Sequence, residues 1–195
     1  MSNEITVRLK CNIKEMCNLL ENKNFIVTDE YCLNDTYFIP KELDLENITH
    51  REIISKAIIL REITETMSNQ QIVKLVFKTK QIDINGDILS QKKYECEILN
   101  VKDGETFINS IGYKKLMTIK EYDKSYEKDE FKITIKDVEN GEKLIEIETV
   151  EDNKELDTIE KIKDKVNQLE LPLDTNDYFV KKAEIALKNI LLGGA

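Results

Sequence analysis

The sequence predicts an α+β fold in which a closed eight-stranded antiparallel β-barrel is covered by helices, two of them C-terminal. Three features predict it: roughly eight segments with strand character, amphipathic helices at fixed points, and charged residues that recur on single strand faces. Small barrels usually fill their interior with apolar side chains, so recurring charge predicts a polar, ligand-holding interior. We expect one domain over residues 1–195, with tunnel strands at about 1–150 and helices at about 152–192.

The first half of the chain is predicted to alternate strands with short helices. After a strand at 4–10, four apolar residues recur at helical spacing, namely Ile13, Met16, Cys17 and Leu20. Residues 53–63 are apolar and fit either a buried helix or a strand, and we expect strand from Ala57 onward. The remaining strands are expected at 25–31 and 37–39, divided by a turn at Asn34-Asp35, and at 72–80 and 92–99, joined by a hairpin turn at Asn85-Gly86-Asp87.

The second half is predicted to finish the barrel and then turn helical. A helix at 103–111 should end at Gly112, because glycine readily adopts the left-handed conformation that closes a helix. Strands are expected at 113–122, 131–135 and 143–150, with the last turn at Asn140-Gly141. Two helices with apolar stripes should follow from residue 152, separated by Pro172, and should pack on the sheet.

Composition excludes several classes of protein. The net charge of -9 argues against a nucleic-acid polymer as partner, because such binders need an excess of Lys and Arg. No apolar run is long enough for a membrane helix, so we expect a cytoplasmic protein without a membrane partner, either monomeric or homodimeric. The four cysteines form no CxxC pair and His50 is the one histidine, which favours reduced structural thiols over a thiol or imidazole metal site.

Three segments place charged residues on one face of a predicted strand: Glu4/Arg8/Lys10, Lys93/Glu95/Glu97 and Glu146/Glu148. Inside a closed sheet, carboxylates of this kind would hold hard cations and basic side chains would hold phosphate. A solvent-facing strand shows the same alternation, so a plain barrel with apolar side chains inside and the glutamates in water remains the alternative.

An ordered set of short motifs runs through the first 150 residues. They are Glu4-x-Thr6-x-Arg8, Asn34-Asp35-Thr36-Tyr37-Phe38, Leu60-Arg61, Lys78, Lys93-x-Glu95-x-Glu97, Ile111-Gly112-Tyr113 and Lys143-Leu144-Ile145-Glu146-Ile147-Glu148. In this order they resemble the CYTH superfamily, the triphosphate tunnel metalloenzymes, which include class IV adenylate cyclases, thiamine triphosphatases and inorganic triphosphatases. No single motif is specific; the resemblance rests on their order.

The resemblance implies a metal-dependent hydrolase that acts on inorganic triphosphate, thiamine triphosphate or a nucleoside triphosphate inside the tunnel. It implies Mg²⁺ or Mn²⁺ as cofactor, with Glu4, Glu146 and Glu148 as catalytic metal ligands and Glu95 and Glu97 as further metal ligands or their supports. The residues it implies for phosphate binding are Arg8, Lys10, Arg61, Lys78 and Lys93.

Four positions depart from the family pattern. Thr6 replaces the second opening glutamate, Ile63 replaces the second arginine of Leu-Arg-x-Arg, Asp123 stands where an arginine is expected, and Lys136 stands where a late aspartate is expected. Each change weakens either metal or phosphate binding. Two alternatives therefore stay open: class IV adenylate cyclase activity on ATP, and a degenerate tunnel that binds polyphosphate, a nucleotide or another anion without turnover.

Overall fold

A computed structural model describes residues 4–82, 88–129, 131–149 and 158–193, and the side chains of these except at 4, 80–82, 88–91 and 149. Its elements, in chain order, are β1 (Glu4–Leu9), α1 (Ile13–Asn22), β2 (Ile26–Pro40), α2 (His50–Ser55), β3 (Ile58–Glu65), β4 (Gln71–Ile82), β5 (Ile88–Ile98), α3 (Val101–Ser110), β6 (Tyr113–Lys128), β7 (Phe131–Val138), β8 (Lys143–Thr149), α4 (Ile159–Gln168), β9 (Leu173–Asp174) and α5 (Lys182–Gly193).

The strands of the described residues form one sheet of nine, in the order β5-β4-β3-β2-β6-β7-β8-β1-β9. The prediction of an antiparallel sheet with helices, two of them C-terminal, is confirmed. The predicted eight strands become nine, because the short β9 after Pro172 pairs with the free edge of β1. Within the described ranges the order ends at β5 and β9, so strand pairing does not establish the predicted closed barrel.

The predicted turn at Asn34-Asp35 is wrong, since both residues lie within the single strand β2. Their side chains explain why: the Asn34 amide donates to Glu62, and the Asp35 carboxylate accepts two bonds from Arg61 on β3. Cross-strand bonds thus hold an extended backbone at residues that would otherwise favour a turn. The predicted hairpin turn at 85–87 lies outside the described residues.

Four of the described helices begin after a residue whose side chain accepts a hydrogen bond from the first turn. Asn12, Thr49, Asn100 and Thr158 each accept a hydrogen bond from a backbone amide in the first turn of the helix that follows. At Gly112 the backbone has φ of +89°, the left-handed region that the predicted C-terminal glycine was expected to supply. In the described part of the chain, no helix has the length and apolarity needed to cross a membrane.

The chain divides into two compact units, residues 1–32 with 121–182 and residues 33–120 with 183–195. In the first unit, apolar side chains of the sheet pack against α1 and α4. The fully buried members include Ile5, Val7, Met16, Leu20, Tyr126, Ile133, Ile145, Ile147 and Ile162. Alternation then leaves the opposite face of β1, β8, β7 and β6 to polar residues. The predicted packing of Ile5, Val7, Ile145 and Ile147 under covering helices is found here.

In the second unit, α3 covers one face of β3, β4 and β5. Phe38, Leu60 and Ile108 form the buried centre of this contact, with Val73 and Ile98 packed around it. Gly104 on α3 lies against them, and a Cβ there would come within 2.6 Å of Ile98 Cδ1. The opposite face of β3, β4 and β5 carries charged residues beside the buried Ile59 and Val76.

Candidate functional site

Strand register aligns the predicted metal ligands of the first unit. Glu4 on β1 is the Cα partner of Glu148 on β8, and Thr6 is the partner of Glu146. Because these positions differ by two residues along each strand, the four share one face of the sheet. Register thus brings Glu4, Glu146 and Glu148 together, while Thr6 takes the position at which the family pattern has a carboxylate.

The same face continues across β7 and β6 with polar residues. Thr134 is the partner of both Glu146 and Ser125, and the Thr134 and Ser125 hydroxyls lie 2.9 Å apart. Lys132 is the partner of both Glu148 and Glu127. We call this polar side of β1, β8, β7 and β6 the unit 1 face.

Lys136 is the most buried cation of the unit 1 face. Its ammonium donates to Asp123 Oδ2 at 3.0 Å and lies 3.3 Å from Glu146 Oε1. The side chain of Asp123 is fully buried and that of Lys136 is 11% exposed. The two residues are Cα partners across β6 and β7, so backbone register holds the pair in place. Glu146, a predicted metal ligand, is therefore already in contact with a protein cation.

A second ion pair adjoins this one. The Lys182 ammonium donates to Glu121 Oε1, and the Glu121 side chain is fully buried. One further oxygen of each buried carboxylate, Glu121 Oε2 and Asp123 Oδ1, has no hydrogen-bond partner in the described structure. Unpaired buried acceptors of this kind are costly, so this corner of the face can accept additional positive charge.

The pKa values of Asp123, Lys136 and Tyr31 are all raised. Burial raises the pKa of Asp123 to about 6, and the Glu121 charge adds to the rise, against the attraction of Lys136 and Lys182. Burial alone would lower the pKa of Lys136, but Glu146 and Asp123 raise it well above its usual value. Burial, with the charge of Asp123, also raises the pKa of Tyr31 to about 12. These groups therefore hold protons strongly, because burial favours the neutral forms of Asp123 and Tyr31 and the neighbouring carboxylates favour the charged form of Lys136.

The predicted phosphate ligands Arg8 and Lys10 lie at the end of β1. The Arg8 guanidinium lies 3.4 Å from Glu142 and 3.6 Å from Asp177, and the Lys10 ammonium lies 3.9 Å from Asp174. Arg8 lies on the unit 1 face and its side chain is 32% exposed, whereas Lys10 follows the strand and is 57% exposed. Arg8 is thus better placed than Lys10 to bind a ligand on that face.

The second unit gathers the other predicted residues on the side of β3, β4 and β5 that faces away from α3. Lys78 is the partner of Lys93, and Arg61 is the partner of Lys74, which in turn is the partner of Glu97. With Glu95, these residues form what we call the unit 2 face. Arg61, Lys78, Lys93, Glu95 and Glu97 therefore share one side of three adjacent strands.

Ion pairs occupy much of the unit 2 face. Arg61 makes two hydrogen bonds of 2.7 Å to the buried Asp35 carboxylate. Lys74 lies 3.2 Å from Glu95 and 4.0 Å from Glu97, and Lys93 lies 2.8 Å from Glu95. Hydrogen bonding to Lys93 lowers the pKa of Glu95, so this carboxylate is ionised and neutralised by lysine.

Across the described residues, no group of three His, Cys, Asp or Glu side chains is arranged to hold a metal ion. The Glu4 side chain lies outside that set, so its place beside Glu148 is known from backbone register alone. The assignments of all these residues stay predictions: as metal ligands Glu4, Glu146, Glu148, Glu95 and Glu97, and as phosphate ligands Arg8, Lys10, Arg61, Lys78 and Lys93.

Sequence reasoning missed Glu121, Lys182, Lys74 and Tyr31. Glu121 carried a usable signal, because Glu121, Asp123 and Ser125 alternate on one strand face. The predicted strand ended at 122, whereas β6 continues to Lys128, so the alternation was cut short. Lys182 carried no such signal, since it comes from the helical C-terminal region and reaches Glu121 through tertiary packing.

No protein-family model matches the sequence, and no curated protein matches it. Solved structures do. The PH1819 protein of Pyrococcus horikoshii OT3 is similar with a TM-score of 0.72 and 19% identity, over 97% of this chain and 99% of that one. A "putative adenylate cyclase" of Vibrio parahaemolyticus has a TM-score of 0.64 and 15% identity, over 96% and 97% of the two chains.

A third similar structure is HpAC1 from Hippeastrum, a "putative adenylyl cyclase" described as having a dominant triphosphatase activity. Its TM-score is 0.58 and its identity 14%, over 97% of this chain and 96% of that one. At such low identities the likeness shows a shared fold. In fold, these structures agree with the resemblance that the ordered motifs indicated.

Proposed function

We propose that the chain binds a triphosphate-containing small molecule and hydrolyses it with Mg²⁺ or Mn²⁺. The observation that carries the proposal is the unit 1 face, where charged and hydroxyl side chains line one side of four adjacent strands whose other side is the apolar core. Buried charge of both signs is expensive in a purely structural sheet, so its retention suits a site for an ionic ligand. The fold shared with HpAC1 supports the same class of substrate.

The metal fits the donor set of the unit 1 face in its chemistry. Glu4, Glu146 and Glu148 supply carboxylate oxygens, which are the ligands that Mg²⁺ and Mn²⁺ prefer. When bound, the ion would neutralise charge on the triphosphate and favour attack of water at a phosphorus atom. Arg8 would bind phosphate oxygens at the end of β1, and Arg61, Lys78 and Lys93 would bind them on the unit 2 face.

We also propose that residues 1–195 act as a single CYTH-like domain whose sheet closes into a tunnel. The supporting observation is that β2 and β6 each run through both compact units. Closure would surround the substrate and exclude bulk water, which strengthens charge interactions.

The second candidate function is binding of a polyphosphate or nucleotide without turnover. The ammonium of Lys136 beside Glu146 favours it, because a lysine that neutralises a predicted ligand competes with the metal for that carboxylate. Thr6 favours it too, since it removes a carboxylate from the row that holds Glu4.

Phosphate release tests the proposal. Purified full-length protein would be assayed with inorganic triphosphate, thiamine triphosphate and ATP, with Mg²⁺, Mn²⁺ or EDTA, beside a Glu146→Gln/Glu148→Gln variant. Glu15→Gln, an exposed position on α1, is the matched control. We expect metal-dependent release in the wild type and the control and its loss in the double variant.

The other outcomes separate the candidates. Calorimetric binding of inorganic triphosphate without phosphate release would favour the non-catalytic function. Cyclic AMP and pyrophosphate from ATP would identify a cyclase. Absence of both binding and release would overturn the proposal.

A further inference from the structure

We propose that the Lys136 ammonium is a resident cation of the unit 1 face, occupying a place between Asp123 and Glu146 that would otherwise accept a divalent metal ion. The proposal deepens the proposed function, since it concerns how many metal ions that site takes. It also makes Lys136 the residue that limits the metal content of the face.

Geometry supplies the first argument. A protein ammonium bound to two carboxylates from different strands, at 3.0 and 3.3 Å, stands where a bridging metal ion would stand. Oxygen ligands of Mn²⁺-like hard cations lie at roughly 2.0–2.6 Å, so each carboxylate would need to close in by only about 1 Å. The lysine and a metal ion are therefore alternatives for one position.

Electrostatics supplies the second argument. Without the Lys136 charge, Asp123 and Glu146 would face each other with Glu121 close by, and the Lys182 ammonium would still contact Glu121. Three carboxylates that share one buried region repel one another and attract a cation.

Two buried carboxylate oxygens without a hydrogen-bond partner supply the third argument. Asp123 Oδ1 and Glu121 Oε2 belong to fully buried side chains and have no hydrogen-bond partner in the described structure. They leave acceptor capacity in addition to the two oxygens that contact Lys136. Two buried oxygens thus lack a partner in the described part of the chain even with the Lys136 and Lys182 ammonium groups in place, so this buried region holds more negative charge than the two lysines satisfy.

The experiment counts bound Mn²⁺. Equilibrium binding would be followed by electron paramagnetic resonance of the free ion, for the wild type and for Lys136→Met, which is unbranched and one atom shorter than lysine and carries no charge. Lys132→Met is the matched control, because Lys132 lies on the same face of β7 but pairs with the exposed Asp29 and Glu127. Lys136→Arg keeps the charge.

We expect Lys136→Met to bind one more Mn²⁺ per chain than the wild type, whereas Lys132→Met and Lys136→Arg bind the same number as the wild type. We also expect Mn²⁺ to raise the melting temperature of Lys136→Met more than that of the wild type, because the ion replaces a missing charge. Folding of Lys136→Met in Mn²⁺ but not in EDTA would support the proposal in the same way.

A folded Lys136→Met that binds no additional Mn²⁺ would overturn the proposal, as would failure of this variant to fold at any Mn²⁺ concentration. The difference between variants is independent of turnover. If the wild type released no phosphate and bound no metal, the proposed function would fail, while a gain of one ion in Lys136→Met would still uphold the resident cation.

Discussion

Asp123 and Lys136 face each other across β6 and β7, and their charged groups meet at 3.0 Å in the buried part of the sheet. In the sequence these two residues were separate departures from the family pattern. In the structure they are partners in one ion pair, with Glu146 as a third member. The two departures therefore compensate each other in charge, and the face keeps its polar character without the expected residues.

The contribution of Asp123 to stability should decrease as pH rises from about 4 to about 6, against the opposite contributions of Glu30 and Glu95, whose pKa values are lowered. The pKa of Asp123 is near 3.9 in the unfolded chain and about 6 in the folded protein, so the folded state binds the additional proton in this window. The shift corresponds to roughly 2–3 kcal/mol. Urea unfolding of the wild type between pH 4 and pH 7, compared with the variant below, would measure this contribution to the free energy of unfolding.

The variant Asp123→Asn isolates that contribution, since an amide imitates the protonated carboxyl group. The free energy of unfolding of Asp123→Asn minus that of the wild type should increase by about 2–3 kcal/mol between pH 4 and pH 7, because the wild type alone loses the stabilising proton. A constant difference across this range would contradict the shifted pKa.

Removing Arg61 should destabilise the protein. Asp35 is 1% exposed, and Arg61→Ala would leave its buried carboxylate without the two-bond contact. We expect a loss of about 3 kcal/mol, and a smaller loss for Arg61→Lys, which keeps the charge but not the planar pair of donors. Chemical denaturation would measure both.

Arg51→Ala provides the comparison for that experiment. Arg51 also makes a two-bond contact, to Glu184, but both side chains are partly exposed, at 31% and 22%. We expect a loss of about 1 kcal/mol or less. Equal losses in the Arg51 and Arg61 variants would show that burial of Asp35 adds nothing.

Two neighbouring lysines on β5 lie on opposite faces of the sheet and can test which face binds phosphate. Lys93 lies on the unit 2 face opposite Lys78, and Lys92 points to the other side. Lys93→Ala should weaken binding of inorganic triphosphate by roughly tenfold, because a charged contact to phosphate is lost. Lys92→Ala should leave the dissociation constant within about twofold, since it removes the same charge from the opposite face. Isothermal titration calorimetry would decide, and equal effects would remove Lys93 from the site.

The apolar core beneath the unit 1 face should dominate the stability of the first unit. Ile133 on β7 is fully buried in it, and Ile133→Ala should cost about 3 kcal/mol. Ile26 on β2 is 70% exposed, and Ile26→Ala should cost less than about 0.5 kcal/mol. Thermal and urea unfolding would measure both, and similar losses would contradict the assignment of the core.

Local pattern was sufficient for most elements. Alternating apolar residues located β1 and β8, and helical spacing located α1, because each signal repeats within a few residues. The pattern failed where distant groups decide. The local sequence at Asn34 and Asp35 predicts a turn, but hydrogen bonds to Glu62 and Arg61 hold both residues in a strand. The two residues of β9 are too few to show a periodic pattern.

For the candidate site, the sequence by itself determined which residues share a strand face, since alternation is a local property of the extended chain. Tertiary structure decided their partners. Strand register set Asp123 against Lys136 and Glu4 against Glu148, and packing of the start of α5 brought Lys182 to Glu121. The physical reason is that the charge state and free energy of a buried group depend on neighbours that are remote in sequence, and the order of residues does not specify those neighbours.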